Sequence, residues 1–358
     1  MATHGRPDPR PARSRRRVTT PGRAAAGIGA LAGVGGVVRW AAPASPLPPP
    51  TGPHPVGTTI VELEGPRTLP VQVWYPARAA NGPGAPLFPA SAGVARALAA
   101  RYRIPAWTLR PIRRSRGTAI ADATPAWTPA DDGPVRGAVV ISHGWLGFRT
   151  MHADLAEQLA SEGWIVVAPD HVGGALAAQH PDGRVTGLEA TLMPPDDAPD
   201  YRLRTAALVA RYAEDLEAVV DAVAAGALSP LRPRADGVWL IGQSTGGGAA
   251  TALAARDPRV RGVLGLDPWV QPVPSEARAA LDVPMIAVRS GEWVGNGNDR
   301  LLTAMPTVEL RAVPEARHAD LTCLGYLSPV TRLVGLTTCD PRLPHDAALA
   351  AFADLVVR

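Results

Sequence analysis

The sequence contains no lysine, so all 36 of its basic residues are arginine. A choice this uniform is typical of genome-wide codon bias and says little about the recognition of phosphates or carboxylates. The basic charge is also uneven, because residues 1–39 hold eight arginines and one acid, Asp8, a net charge of +7. Since the whole chain carries +4, the remainder carries −3. The body of the protein therefore does not have the charge of a nucleic-acid-binding domain, and we expect no nucleic-acid partner.

Cysteine is scarce as well, with only Cys323 and Cys339 in the chain. One disulfide, as an exported protein would allow, and two buried thiols are both consistent with this pair. Neither residue lies in a metal-binding pattern, and the sequence has no CxxC, HExxH or clustered histidines. We therefore expect no structural or catalytic metal and no cofactor.

The apolar stretch at residues 24–38 is too short to span a bilayer but has the length of the apolar region of an export signal. It follows the basic run Ser14-Arg15-Arg16-Arg17-Val18 and precedes Ala42-Pro43-Ala44, which resembles a signal-peptidase site. Paired arginines before a mild apolar region are typical of the twin-arginine route. Residues 1–44 are therefore predicted to be a signal peptide of a secreted protein. The alternative is a disordered basic extension on a cytoplasmic protein.

The remaining chain is divided into a proline-rich linker at 45–57 and an α/β domain at 58–358 with an irregular insertion at about 79–134. Buried or alternating apolar runs predict strands, and longer segments with a period of 3.6 predict helices. The strands are predicted at 58–64, 69–75, 137–142, 164–169, 238–242, 260–266, 284–289 and 308–313. The helices are predicted at 151–162, 202–225, 247–256 and 346–357, and at 93–103 in the insertion. Strands that alternate with helices predict a mostly parallel sheet covered by helices on both faces.

The motif Gly242-Gln243-Ser244-Thr245-Gly246 directly follows one of these apolar strands and matches G-x-S-x-G. A serine at a tight strand-to-helix turn needs small neighbours, because strand and helix pass very close to each other. Such a turn exposes the hydroxyl at the carboxyl edge of the sheet and predicts a nucleophilic Ser244. A glycine-rich phosphate loop is the alternative, but its glycine spacing differs and it would require a lysine.

A serine hydroxyl needs a base, and His318 is the best candidate because it follows the last predicted strand. The other histidines considered precede it in the chain or lie in the final helix region: His143, His152, His171, His180 and His345.

The base needs a carboxylate that orients it, and two positions compete. Asp267 ends the strand after the nucleophile strand, whereas Glu292 and Asp299 follow the next strand. A carboxylate at an apolar strand end is costly to bury without a partner, and this favours Asp267.

An oxyanion needs backbone N–H donors. Thr245, after the nucleophile, should supply one, and Trp145 in Ser142-His143-Gly144-Trp145 should supply the other. His143 is interpreted as a structural residue of that loop.

These motifs together resemble the secreted, serine-dependent platelet-activating-factor acetylhydrolase family of the α/β-hydrolase superfamily. The likeness is collinear from about residue 71 to residue 327, beginning with Val71-Gln72-Val73-Trp74-Tyr75-Pro76. It is strongest at Ser142-His143-Gly144-Trp145-Leu146-Gly147-Phe148-Arg149-Thr150. It continues through the turn at Gly242–Gly246, named the nucleophile elbow, and through Leu266-Asp267-Pro268-Trp269 to the His318 loop. The resemblance implies an α/β-hydrolase fold and places the acid at Asp267.

The resemblance also implies an esterase that removes short acyl groups from glycerophospholipids through a Ser244-Asp267-His318 triad. Gln243 and Thr245 depart from the family, which usually has histidine and a bulky residue at these positions, so the acyl pocket should differ. The family docks on lipid surfaces, and the insertion with Trp107 and Leu109 is where a peripheral membrane contact is expected. The alternatives are a general carboxylesterase, a polyester or dienelactone hydrolase, an acyltransferase, and a non-catalytic lipid-binding protein.

Overall fold

The alternating apolar runs form a ten-stranded sheet in the described part of the chain. In order across the sheet, its strands are β12 (Val308–Val313), β11 (Met285–Ser290), β10 (Val260–Leu266), β9 (Val238–Gln243), β5 (Gly137–Ser142), β6 (Trp164–Pro169), β2 (Leu69–Pro76), β1 (Val56–Leu63), β4 (Arg116–Ala121) and β3 (Gly84–Pro86). The computed structural model describes residues 46–78, 81–88, 96, 99–100, 113–127, 136–228, 237–327 and 335–358. The six neighbours from β12 to β6 are parallel, whereas β2 pairs antiparallel with both β6 and β1. The predicted mostly parallel sheet is therefore confirmed.

A small second sheet pairs β7 (Ala177–Gln179) with β8 (Val185–Gly187). The helices are α1 (Ala153–Ser161), α2 (Tyr201–Ala224), α3 (Thr245–Ala254), α4 (Ser275–Ala279), α5 (Gly297–Thr303), α6 (Leu324–Leu327) and α7 (Arg342–Val356), with 3-10 turns at Ala190–Leu192 and His318–Leu321.

Successive side chains of a strand point to opposite sides of the sheet. Both sides of the parallel strands from β6 to β11 are almost entirely buried, whereas the edge strand β12 is partly exposed. Val139 of β5 packs into a cluster with helices α1 and α7. Its neighbour Val140 packs into a cluster with α2 and α3. Helix α2 owes its position to an apolar stripe at helical spacing, formed by Leu208, Tyr212, Leu216, Val219, Val220 and Val223. Helices therefore cover both faces of the sheet, as predicted.

The predicted insertion contains two strands that its irregular composition does not reveal. β3 and β4 extend the sheet beyond β1, and β4 pairs with β1 in parallel over a short register. Short pairings of this kind carry too few residues for a recognisable alternation. Most of the predicted helix at 93–103 lies outside the described residues, as do Trp107, Leu109 and all residues of the predicted signal peptide.

The proline-rich stretch predicted as a linker is held against helix α1. The backbone amides of Thr51 and Gly52 donate to the side chains of Gln158 and Ser161, and Leu47 is buried. Strand β1 then begins at Val56, two residues before the predicted boundary. Within the described residues, no helix is long and apolar enough to cross a membrane.

Candidate active site

The carboxyl edge of the parallel strands collects the residues that the motifs single out. Ser244 follows β9, Asp267 follows β10, and His318 begins the 3-10 turn after β12. Parallel strands present their carboxyl ends at one edge, so residues far apart in sequence meet there.

Ser244 lies at a strained turn between strand β9 and helix α3. Its φ is 53° and its ψ is −119°, a backbone conformation that is rare for a residue with a side chain. A Cβ atom at Gly242 would lie 2.5 Å from the Gly246 carbonyl oxygen, and one at Gly246 would lie 2.4 Å from the Ser142 carbonyl oxygen. Only glycine fits at either position, and this close crossing turns the partly exposed Ser244 out of the sheet.

His318 is held by the carboxylate of Asp267. The distance from His318 Nδ1 to Asp267 Oδ2 is 3.0 Å, and Asp267 is 0% exposed. Asp267 also accepts hydrogen bonds from the Ser290 amide at 2.9 Å and from the Ser290 hydroxyl at 2.5 Å. Because a carboxylate at neutral pH only accepts, the imidazole carries its proton on Nδ1 and leaves Nε2 as an acceptor.

The two competing acids have other partners than the imidazole ring. Glu292 accepts from the backbone amide of His318 at 2.9 Å, and Asp299 pairs with Arg289 at 2.6 Å. Arg289 lies 3.6 Å from Asp267 Oδ1 and balances part of its buried charge. Of the three carboxylates weighed from the sequence, Asp267 is therefore the one that the structure brings to the imidazole ring.

The Nε2 atom of His318 contacts the side chain of Gln243, the residue before Ser244. The distance from Gln243 Nε2 to His318 Nε2 is 3.0 Å, and Gln243 Oε1 accepts from the Gly144 amide at 3.1 Å. Since a backbone N–H can only donate, the Gln243 side-chain oxygen must face Gly144, and the Gln243 NH2 group must face the imidazole ring. Among the described hydrogen bonds, none joins the Ser244 hydroxyl to His318, so Gln243 occupies the ring nitrogen that a nucleophilic Ser244 would need.

The β11 turn, residues 290–293, holds both partners of the His318–Asp267 pair. Besides the contacts of Ser290 and Glu292, the Trp293 ring stacks on His318 with 4.4 Å between centroids and 9° between planes. Glu292 of this turn was predicted from the sequence as a candidate acid, whereas Ser290 and Trp293 were not predicted. The only signal for them was their place directly after a strand next to the acid-bearing strand.

The loop of residues 142–147, named the HG loop, lies beside the elbow and carries one of the predicted oxyanion donors. A Cβ atom at Gly144 would lie 3.0 Å from Ser244 Cβ. The amides on either side of Trp145 are used, that of Gly144 by Gln243 and that of Leu146 by the Gly174 carbonyl. Among the described residues, neither the Trp145 amide nor the Thr245 amide at the start of α3 has an acceptor. The structure therefore leaves both N–H groups without a competing acceptor.

The other histidines considered from the sequence have partners other than Ser244 and Asp267. His143 Nδ1 lies 2.7 Å from the Gly144 carbonyl oxygen, and burial holds the pKa of His143 well below its usual value. His171 is fully buried, His180 contacts Glu62, and His345 contacts Asp154.

His152 is also buried. Burial, aided by the neighbouring charge of His318 and opposed by Asp154, lowers the pKa of His152 to about 4. His143 and His152 are therefore both neutral near pH 7.

Cys323 is a buried thiol that donates to the Thr150 carbonyl oxygen at 3.5 Å, and it forms no disulfide with Cys339. Burial raises the pKa of the Cys323 thiol, so it is not a nucleophile of this site. Among the described residues, no group of three or more His, Cys, Asp or Glu side chains is arranged to hold a metal ion.

Two family models match the chain. Residues 41–179 match platelet-activating factor acetylhydrolase, isoform II, and residues 133–296 match serine aminopeptidase, S33. The resemblance found from the motifs is thereby confirmed.

Curated relatives include cutinases of Thermobifida. Cutinase est1 of Thermobifida alba is 31% identical over 135 residues, which cover 37% of this chain and 35% of that protein. Cutinase 2 of Thermobifida cellulosilytica is 31% identical over the same length, covering 37% of this chain and 40% of that protein. This chain therefore matches well under half the length of these relatives.

A ferulic acid esterase from Streptomyces cinnamoneus has a similar structure. Its TM-score is 0.66 at 23% sequence identity, and the match covers 85% of this chain and 91% of that chain. Similarity at this level establishes that the two chains share a fold.

Proposed function

We propose that this chain, which belongs to the α/β-hydrolase superfamily, is a serine ester hydrolase that cleaves short acyl esters through an acyl-enzyme on Ser244. One observation carries the proposal. A partly exposed serine with φ 53° stands next to Gln243, whose amide contacts an imidazole held by a buried carboxylate. The strained turn and the oriented base are the two features that activate a serine for acyl transfer.

In the proposed reaction, the Ser244 hydroxyl replaces the Gln243 amide at His318 Nε2 and then attacks the ester carbonyl carbon. His318 accepts the hydroxyl proton as the new C–O bond forms, and the amides of Trp145 and Thr245 bind the resulting oxyanion. His318 then donates this proton to the departing alcohol. A water molecule releases the acyl group in the reverse sequence, with Asp267 ionised throughout.

Fluorophosphonate labelling with identification of the modified peptide tests this proposal directly. We expect label on Ser244 alone, loss of label in Ser244→Ala, and a fall in kcat of about 10⁴ or more with an unchanged melting temperature. Ser275→Ala, at an exposed serine of α4, is the matched control and should behave as wild type. Full activity in Ser244→Ala would refute the assignment, and a folded protein that takes no label would favour a lipid-binding protein.

The finer proposal is that the substrates are lipids such as platelet-activating-factor-like phospholipids. The family match over residues 41–179 supports it, whereas the cutinase matches support a polyester or general carboxylesterase instead. Rates on p-nitrophenyl esters of increasing acyl length, compared with rates on a short-chain phospholipid, separate these classes. Preference for a two-carbon acyl group on the phospholipid supports the first, and preference for longer esters or a polyester film supports the second.

We also propose that the protein is exported and contacts lipid surfaces. N-terminal sequencing of secreted material should begin near residue 45, and an intact Met1 terminus in the cytosol would contradict export.

Liposome flotation should show binding that is lost in Trp107→Ala and Leu109→Ala. Unchanged flotation of these variants would contradict the lipid contact.

A further inference from the structure

A second chain of serine, histidine and aspartate side chains lies behind the candidate active site. The distance from Ser142 Oγ to His171 Nε2 is 2.8 Å, and that from His171 Nδ1 to Asp215 Oδ2 is 3.0 Å. These three residues are 1%, 0% and 2% exposed, respectively. Because the carboxylate only accepts, His171 carries its proton on Nδ1 and receives a hydrogen bond from the Ser142 hydroxyl. The connectivity is that of a catalytic triad, but no substrate can reach Ser142.

The outer end of this buried chain reaches the protein surface through Arg67. Arg67 Nε donates to Asp215 Oδ1 at 2.8 Å, and the same guanidinium contacts the exposed Glu214. The Tyr212 ring stacks on His171, with 3.8 Å between centroids and 20° between planes. The guanidinium balances the buried carboxylate, and the stacked ring restricts the imidazole to one plane.

The segment that carries His171 is hydrogen-bonded to the HG loop. The His171 amide donates to His143 Nε2 at 3.2 Å, and the Leu176 amide donates to the Gly147 carbonyl oxygen at 2.9 Å. Together with the bond from Ser142, these contacts tie the loop to residues 171–176 at both of its ends.

Ser142 also touches the nucleophile elbow. A Cβ atom at Gly246 would lie 2.6 Å from Ser142 Oγ, closer than side chains approach each other. The buried chain therefore supports the HG loop and the turn that carries Ser244 through one residue, Ser142.

We propose that Ser142, His171 and Asp215 are positioning residues that fix the HG loop so that the Trp145 amide stays aimed at the oxyanion. This inference rests on the proposed function of Ser244. A buried polar network has one satisfied arrangement, because any other leaves donors and acceptors unpaired away from water. Oxyanion donors stabilise a transition state only when they are held in place before the reaction. The network therefore acts on turnover and not on substrate affinity.

Ser142→Ala tests this role with the smallest change in volume. We expect kcat for a p-nitrophenyl ester to fall about tenfold, less than the loss of a whole oxyanion donor, while KM stays within about twofold. The affinity for a boronic acid that mimics the tetrahedral intermediate should fall by the same factor as kcat/KM. Glu217→Gln, at a surface residue of α2 that pairs with Arg256, is the matched control and should change neither quantity.

Asp215→Asn should lower kcat in the same direction, and the double variant with Ser142→Ala should lose less than the product of the two single losses. Because both positions are buried, Arg67→Gln at the surface end serves as a variant that keeps the fold. Its kcat should fall about two- to threefold with KM unchanged, in proportion to a weakened rather than a broken network.

Wild-type kcat and boronic acid affinity in a folded Ser142→Ala, or in Arg67→Gln where the buried variants do not fold, would overturn the positioning role. That result leaves the proposed function intact as long as Ser244→Ala is inactive. Activity in Ser244→Ala would instead overturn the proposed function, so the two failures are distinguishable.

Discussion

Two sets of serine, histidine and aspartate side chains lie close together in this molecule, an outer chain (Ser244, His318 and Asp267) and a buried chain (Ser142, His171 and Asp215). Each set has an arginine beside its carboxylate and an aromatic ring stacked on its imidazole. In the outer chain these are Arg289 and Trp293, and in the buried chain they are Arg67 and Tyr212. The hydrogen-bonded connection between serine and imidazole is complete in the buried chain at 2.8 Å. In the outer chain, Gln243 contacts the imidazole instead of the serine.

A hydrogen-bonded serine, histidine and aspartate are therefore not sufficient to make the serine a nucleophile. Ser142 is at the end of a regular strand and is enclosed on all sides, so its closed network is a fixed structural element. Ser244 has strained backbone angles, partial exposure and two neighbouring amides with no acceptor among the described residues. Access, strain and oxyanion donors are what separate the proposed active site from its buried counterpart.

The largest difference between the two chains is expected when the charge of each aspartate is removed. Asp267→Asn should lower kcat by about 10⁴, because the imidazole loses its orientation and the support of its developing charge. The free energy of unfolding should fall by about 3 kcal/mol in that variant, because Asp267 is fully buried and partly balances the buried charge of Arg289. Asp215→Asn should lose a similar free energy of unfolding but should lower kcat only about tenfold.

Initial rates and urea denaturation curves of the two asparagine variants provide both quantities. Equal effects of the two substitutions on kcat would contradict the division between a catalytic and a positioning chain.

A smaller effect is expected from the ring that stacks on the outer imidazole. Trp293→Leu should lower kcat about three- to tenfold at constant KM, because a stacked aromatic pair contributes about 0.5–1.5 kcal/mol. Trp293→Phe keeps a ring in the stack and should retain most of the activity. Steady-state kinetics distinguish the two variants, and equal losses in both would show that the ring contact itself is unimportant.

The smallest effect concerns His345 and Asp154, a further histidine–carboxylate pair, to which no serine of the described residues is bonded. Burial opposes the charged form of His345, but the hydrogen bond and charge of Asp154 outweigh it and raise the pKa of His345 above its usual 6.5. A raised folded-state pKa means that the pair stabilises the fold below about pH 6.5 and loses this contribution as pH rises through the folded pKa.

His345→Gln should therefore lower the free energy of unfolding by about 1 kcal/mol at pH 5.5 and by less at pH 8.5. Urea denaturation of wild type and variant at both pH values measures this difference, and kcat should be unchanged. A larger loss at pH 8.5 than at pH 5.5 would contradict the sign of the pKa shift.

The parallel core and the residues at its carboxyl edge could be predicted from the amino-acid pattern. Apolar strands that alternate with helices have few other ways to bury both faces of a sheet, and the predicted bounds of β5, β6, β10 and β12 are those observed. The glycines around Ser244 mark the elbow, because only glycine tolerates the contacts that a Cβ atom would make there. The strands β3 and β4 escaped prediction, because their pairings are too short to create a periodic pattern.

Which side chains meet could not be predicted from any local pattern. Ser142, His171 and Asp215 look unrelated in sequence, and Trp293 and Gln243 carry no motif that links them to His318. Their proximity arises because strand and helix ends from distant parts of the chain are packed at one edge of the sheet. A local pattern records how each segment folds, whereas distances between segments depend on how all of them pack together.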